Sequence, residues 1–125
     1  MTRRTVHALV EAVDVVPTLL EYAGIPIPPC VQGRSLLRLI GGETESHRTS
    51  ALTEMAGWKT LRTDRFRYVA RANGEEHLFD LESDPAAYHD VAREPNYAAA
   101  LNEARHELIR RMLAMEQPLP RTWPY

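Results

Sequence analysis

A single cysteine stands in 125 residues. Alone, Cys30 excludes an intramolecular disulfide and any cysteine-rich zinc site, and it leaves the compartment unassigned. No apolar run approaches the roughly 20 residues that cross a membrane. Neither sign of charge dominates: 15 Lys and Arg face 17 Asp and Glu, for a net charge of −2. A nucleic-acid partner is therefore not expected. The chain has no Asp-Asp or Asp-x-Asp pair to begin a hard-metal cluster. His7, His47, His77, His89 and His106 form no pair at helical spacing, so they give no local metal signal. Ser35 lacks the G-x-S-x-G setting of a nucleophile elbow. The opening MTRRTVHALVEAV is basic and then mildly apolar, but Glu11 and Asp14 interrupt it and no small-residue cleavage site follows. A signal peptide is not expected. The composition, 44% hydrophobic and 26% charged, is that of a soluble domain of ordinary core size. Localisation stays open.

The remaining sequence reads as α+β. Thr5 to Val10 is β-rich and suggests a short strand. VDVVPTLLEYAGIPIP follows, with Asp14 as helix N-cap, Pro17 in the first turn, and Val16, Leu19, Leu20 and Ala23 on an apolar face. Gly24 and Pro26 end this helix after about two and a half turns. Residues 25–34 carry Pro26, Pro28 and Pro29 and read as extended, polyproline-like chain. Ser35 is placed to cap a short helix, LLRLI, which Gly41-Gly42 ends. GGETESHRTS reads as an exposed polar loop. An antiparallel sheet of about four strands comes next: TSALTEM, WKTLR, FRYVARA and EEHLFDL. A Thr63-Asp64 turn joins the middle pair, and Asn73-Gly74 signals a hairpin. Phe66, Tyr68 and Ala70 share one face, aligned with Leu78 and Asp80. Residues 82–96 read as a loop. A long helix from Asn96 to Glu116 carries the stripe Tyr97, Leu101, Ala104, Leu108, Met112 and Met115, and pairs Glu107 with Arg111. Pro118 stops it. The tail after it ends in Trp123 and Tyr125 and has no core of its own.

Three segments in order resemble the C-terminal part of sulfatases, in the alkaline-phosphatase-like superfamily. They are VDVVPTLLEYAGIPIP with GRSLLRLIGG, KTLRTDRFRYV, and EEHLFDLESDP. The resemblance spans about residues 5–115. It implies a four-stranded antiparallel sheet with a long helix packed on it, preceded by a helix-loop segment leading from a catalytic domain. On this reading residues 1–42 are that linking segment, 43–117 the sheet and helix, and 118–125 a tail. Two departures stand in DPAAYHDV: Ala87 replaces the family's usual Glu, and Asp90 its usual Asn.

The resemblance also bears on Cys30. Sulfatases convert a cysteine within C-x-P-x-R or C-x-A-x-R to a formylglycine nucleophile. Cys30 has Arg34 at the right distance, but Gln32 stands where Pro or Ala belongs. The resemblance places Cys30 in a loop far downstream of the family's nucleophile. It implies that formylglycine and a divalent metal, calcium, belong to the full-length enzyme, and that this chain holds no catalytic residue, metal ligand or cofactor. The implied activity of the whole is sulfuric ester hydrolysis, with the chain inactive alone. The implied partner is the N-terminal catalytic domain, or a second copy in a homodimer. A stand-alone structural or interaction module is the other reading. Glu54, Trp58 and Lys59 are candidates for lining the substrate cleft: Trp58 would offer an aromatic face, and Lys59 would attract an anion. Their alternative is a core Trp58 and a solvated Lys59. Arg62, Arg65, Arg67 and Arg71 raise anion or nucleic-acid binding as one reading, but their irregular spacing among acids favours a solvated sheet face.

Overall fold

A computed structural model describes residues 4–116. Four strands form one antiparallel meander in the order β1 (Ala51–Met55), β2 (Trp58–Arg62), β3 (Phe66–Arg71) and β4 (Glu76–Asp80). The register aligns Leu61, Tyr68 and Leu78 in one row, with Phe66 opposite Asp80. This is the expected alternation. The long helix, α3 (Ala98–Met115), follows a 3-10 turn at Pro95–Tyr97 and lays Leu101, Ala104 and Leu108 on that row. Leu61 and Leu78 are almost wholly buried. Each such leucine stabilises the fold by roughly 1.5–3 kcal/mol relative to exposure. The loop after β4 closes the core with Val91, whose N–H bonds the Leu78 carbonyl at 2.8 Å. Asp90, at the position of the family's Asn, accepts the N–H groups of Leu78 and Ala92, each at 3.0 Å. The substitution therefore keeps an acceptor where the loop needs one.

The N-terminal limb is built differently. A 3-10 turn at Ala12–Asp14 runs directly into α1 (Val15–Tyr22), and α1 ends at Gly24 with φ 69° as the sequence predicts. A short α2 (Leu37–Ile40) follows the proline-rich stretch. The limb and α2 meet at Gly33. A Cβ there would lie 2.0 Å from the Val13 carbonyl oxygen, so no side chain fits. Thr18 completes this joint. Its hydroxyl donates to the Asp14 carbonyl at 2.5 Å and accepts the Leu36 N–H at 2.9 Å. Ser35 does take a free N–H at the start of α2, that of Leu37 at 3.2 Å.

Several local expectations are corrected. Thr5 to Val10 forms no strand. At the β1 edge the Glu11 carboxylate already accepts the Leu52 N–H at 2.6 Å, which removes a donor that an added strand would need. Asp14 stands at the start of α1 but does not cap it. With φ −75° and ψ −17° it is already helical, and its carboxylate turns back to the Glu11 N–H at 2.9 Å. The loop at 41–50 is not wholly exposed: the side chains of His47 and Arg48 are only 8% and 5% accessible, and Ser50 is buried. Glu107 and Arg111 do not pair with each other. Glu107 meets Arg110 at 2.9 Å, and Arg111 meets the distant Glu11 at 2.5 Å. The Asn73-Gly74 hairpin exists, but only Gly74 is left-handed (φ 87°). The loop has three residues closed by a glycine, rather than the two-residue form. The predicted stop at Pro118 and the aromatic tail lie outside the described residues.

Candidate functional site

Two features distinguish the limb from the rest of the chain. The first is polar and internal. Asp14 is fully buried and gathers the Arg34 N–H at 2.8 Å, the Arg48 guanidinium and the His47 ring at 3.2 Å. Burial opposes its ionisation. Arg48 and the backbone donors of Arg34 and Glu11 outweigh that cost and hold the carboxyl well below the usual carboxylate range. Beside it, Glu11 bridges Arg48 at 3.3 Å, Arg111 of α3 at 2.5 Å and the β1 edge. Arg111 donates to the Ser50 carbonyl at 2.8 Å, and the Ser50 hydroxyl donates to Glu107 at 2.7 Å. One ion network therefore ties the limb, the 47–50 loop, β1 and α3 together.

The second feature is apolar and external. α1 turns Pro17 and Thr18 inward and leaves Val16, Leu19 and Tyr22 exposed, Leu19 at 62% and Tyr22 at 81%. Val13, Ile25, Ile27 and Ile40 are exposed as well. The apolar face read from the sequence is real, but apart from the half-buried Leu20 nothing in the described chain covers it.

The cleft candidates are only partly brought together. Glu54 and Lys59 face each other across β1 and β2 and form an ion pair. Trp58 is half-buried and points to the other side of the sheet, opposite Arg71. Cys30 is exposed in coil, at the rim of a cleft that Arg34, Arg48 and Arg111 also line. The described residues do not fit a divalent metal. No group of three His, Cys, Asp or Glu side chains converges among them, and the inward carboxylates Asp14, Glu76 and Asp80 are each taken by a guanidinium. No helix among the described residues is long and apolar enough to cross a membrane.

The family model described as "N-sulphoglucosamine sulphohydrolase, C-terminal" matches residues 1–114. The chain belongs to this sulfatase C-terminal family. Arylsulfatase K of Homo sapiens is 33% identical over 121 residues, which cover 83% of this chain and 23% of that protein. The Delta 4,5-hexuronate-2-O-sulfatase of Bacteroides thetaiotaomicron is 31% identical over 112 residues, covering 79% and 23%. Among solved structures, the phosphonate monoester hydrolase of Agrobacterium radiobacter superposes with a TM-score of 0.74 at 27% identity, covering 89% of this chain and 26% of that one. The chain thus spans about a quarter of the length of these relatives. Sulfatase membership carries with it a metal and a formylglycine in full-length enzymes. The family's motif residues now have visible duties. Asp14 organises the ion network, Thr18 and Gly33 make the limb joint, and Asp80 takes Arg65 at 2.8 Å and the Tyr97 hydroxyl at 3.2 Å.

The sequence reading missed the network entirely. Its only local trace was a buried-type helix start with an Asp and a Glu three residues apart. The partners Arg48 and Arg111 lie far along the chain.

Proposed function

We propose that this chain serves as the C-terminal subdomain of a sulfuric ester hydrolase, inactive alone, that docks on a catalytic domain through the outer face of its N-terminal limb. The observation that carries this reading is the exposed run of Val13, Val16, Leu19, Tyr22 and Ile25. Contiguous apolar surface rimmed by polar residues marks an interface. It sits on the N-terminal limb of a chain that spans only about a quarter of its relatives' length. The catalytic domain would supply formylglycine and calcium. The proposed substrate is a sulfate ester on an acidic saccharide, in keeping with the named activity of the hexuronate-2-O-sulfatase relative. A phosphonate or phosphate ester is the alternative, favoured by the likeness to the Agrobacterium enzyme. Glu54 and Lys59, beside the β1–β2 hairpin, are proposed to border the substrate cleft; Trp58, on the opposite sheet face, is left out of it. Lys59 is held by Glu54, so it would orient an anion only by exchanging partners.

A second reading rests on the same apolar surface: a stand-alone module that covers it with a second copy. One experiment separates the two. The hexuronate sulfatase is built with its matching segment deleted, and again with this chain in its place. Expected is no activity for the deletion or for this chain alone, and recovered sulfate release for the chimera. Val16→Glu with Leu19→Glu in the chimera should cut that recovery at least about tenfold, a buried charge at an interface costing more than 1.4 kcal/mol. Metal-dependent hydrolysis of an aryl sulfate by this chain alone would sink the inactive-subdomain reading. A tight dimer with no chimeric activity would favour the module.

A further inference from the structure

The sheet face turned away from α3 differs from the rest of the molecule. Strand alternation places Trp58, Arg62, Arg67, Arg71, His77 and Phe79 on it, and none of its residues is buried. Arg62 and Arg67 stand directly opposite each other on β2 and β3. Like charges at opposed positions destabilise a sheet. Most arginines off this face find acids, among them Arg48 with Asp14, Arg65 with Asp80, Arg105 with Glu76 and Arg111 with Glu11. Among the described residues, no carboxylate pairs with Arg62 or Arg67. The Arg62 Nε is buried and has no hydrogen-bond partner, although such groups nearly always have one. Arg71 has only a distant Glu75 at 3.9 Å. A chain of net charge −2 has thus gathered unpaired cations on one face.

Aromatic rings accompany them. Phe79 lies opposite Arg67, and Trp58 lies opposite Arg71. Arg67 and Arg71 are four residues apart on β3, which spaces them about 13 Å along the strand. A single small anion cannot span that distance. A polymer of rings with regularly repeated anionic groups can, with its rings on the aromatic faces and its anions in the guanidinium forks.

We propose that this face binds a sulfated polysaccharide chain, holding the polymer without cleaving it. The choice of sulfate rests on the sulfatase reading above; the need for a polyanion rests on the face alone. The full chain is passed over immobilised heparin and over hyaluronan, which carries carboxylates but no sulfate. Expected is retention on heparin that moderate salt reverses, and little on hyaluronan. R62S/R67S should weaken apparent affinity about tenfold or more, since charge-assisted hydrogen bonds contribute more than 1.4 kcal/mol each. W58A should weaken it less. R38S/R110S, at exposed positions on α2 and α3 and so off this face, makes the same charge change and should leave retention intact. Circular dichroism on each variant confirms the fold, and R67S, at an exposed position, serves if the double variant does not fold. No retention, equal retention by R62S/R67S, equal loss in R38S/R110S, or equal competition by single-stranded DNA would overturn the proposal. The columns read binding without turnover. A negative result leaves the chimera experiment standing, and a failed chimera with heparin retention removes the sulfatase reading while keeping a polyanion face.

Discussion

Helices α1 and α3 use their apolar residues in opposite ways. α3 is polar over most of its surface, yet it buries Leu101, Ala104 and Leu108 against the sheet. α1 is rich in valine and leucine, yet it buries Pro17 and Thr18 and shows Val16 and Leu19 to solvent. Between these two helices, burial therefore does not track hydrophobicity. α3 is patterned for its own sheet. α1 is held from within by hydrogen bonds and ions, and its apolar side faces solvent.

Three substitutions or titrations test this contrast. The largest effect is expected at the polar anchor of the limb. Asp14→Ala leaves buried Arg48 with Glu11 alone and frees the Arg34 and Glu11 N–H groups, and it should cost about 3 kcal/mol in urea unfolding. A loss below 1 kcal/mol would mean the network does not hold the limb. Next comes the paired leucine test. Leu108→Ala in α3 should cost about 2–5 kcal/mol, whereas Leu19→Ala in α1 should stay within about 0.5 kcal/mol in the isolated chain. Equal costs would erase the distinction between the helices. The smallest effect is expected from acid. Arg105 and the Tyr68 hydroxyl hold Glu76 at about 2, against burial that opposes them. Arg65, again against burial, holds Asp80 at about 2. Both carboxyls titrate lower when folded than when unfolded. Their contribution is complete above about pH 4.5 and is lost as pH falls toward 2. The urea midpoint should therefore drop across that window, and Glu76→Gln should flatten part of the slope. An unchanged midpoint down to pH 2 would contradict both pairings.

The sheet and α3 were legible in the sequence because their signals are local. Phe66, Tyr68 and Ala70 alternate within one strand, and Leu101, Ala104 and Leu108 repeat within one helix. Asn73-Gly74 marked a turn, although the glycine alone decided its length. The ion network was not legible, because its partners are far apart: Glu11 meets Arg111 across 100 positions. Helical spacing suggested a Glu107–Arg111 pair, and a buried acid elsewhere took the arginine instead. The polar run at 43–50 looked solvated for the same reason, since nothing nearby shows that His47 and Arg48 are enclosed. Of the cleft candidates, Glu54 and Lys59 are cross-strand neighbours, and strand alternation alone would have put Trp58 on the other face.

Gly33 has a consequence for how this chain tolerates change in length. Val13 presses on it with no space for even a methyl group, and the Arg34 N–H is fixed to Asp14. The limb is therefore clasped at 13–18 and again at 33–36. Between these clasps the chain from Ile25 to Cys30 is exposed throughout. Extra residues there would bulge outward without moving either end. Pro28 to Cys30, clear of the exposed Ile25 and Ile27, is the place to insert a label or an epitope while keeping the joint intact.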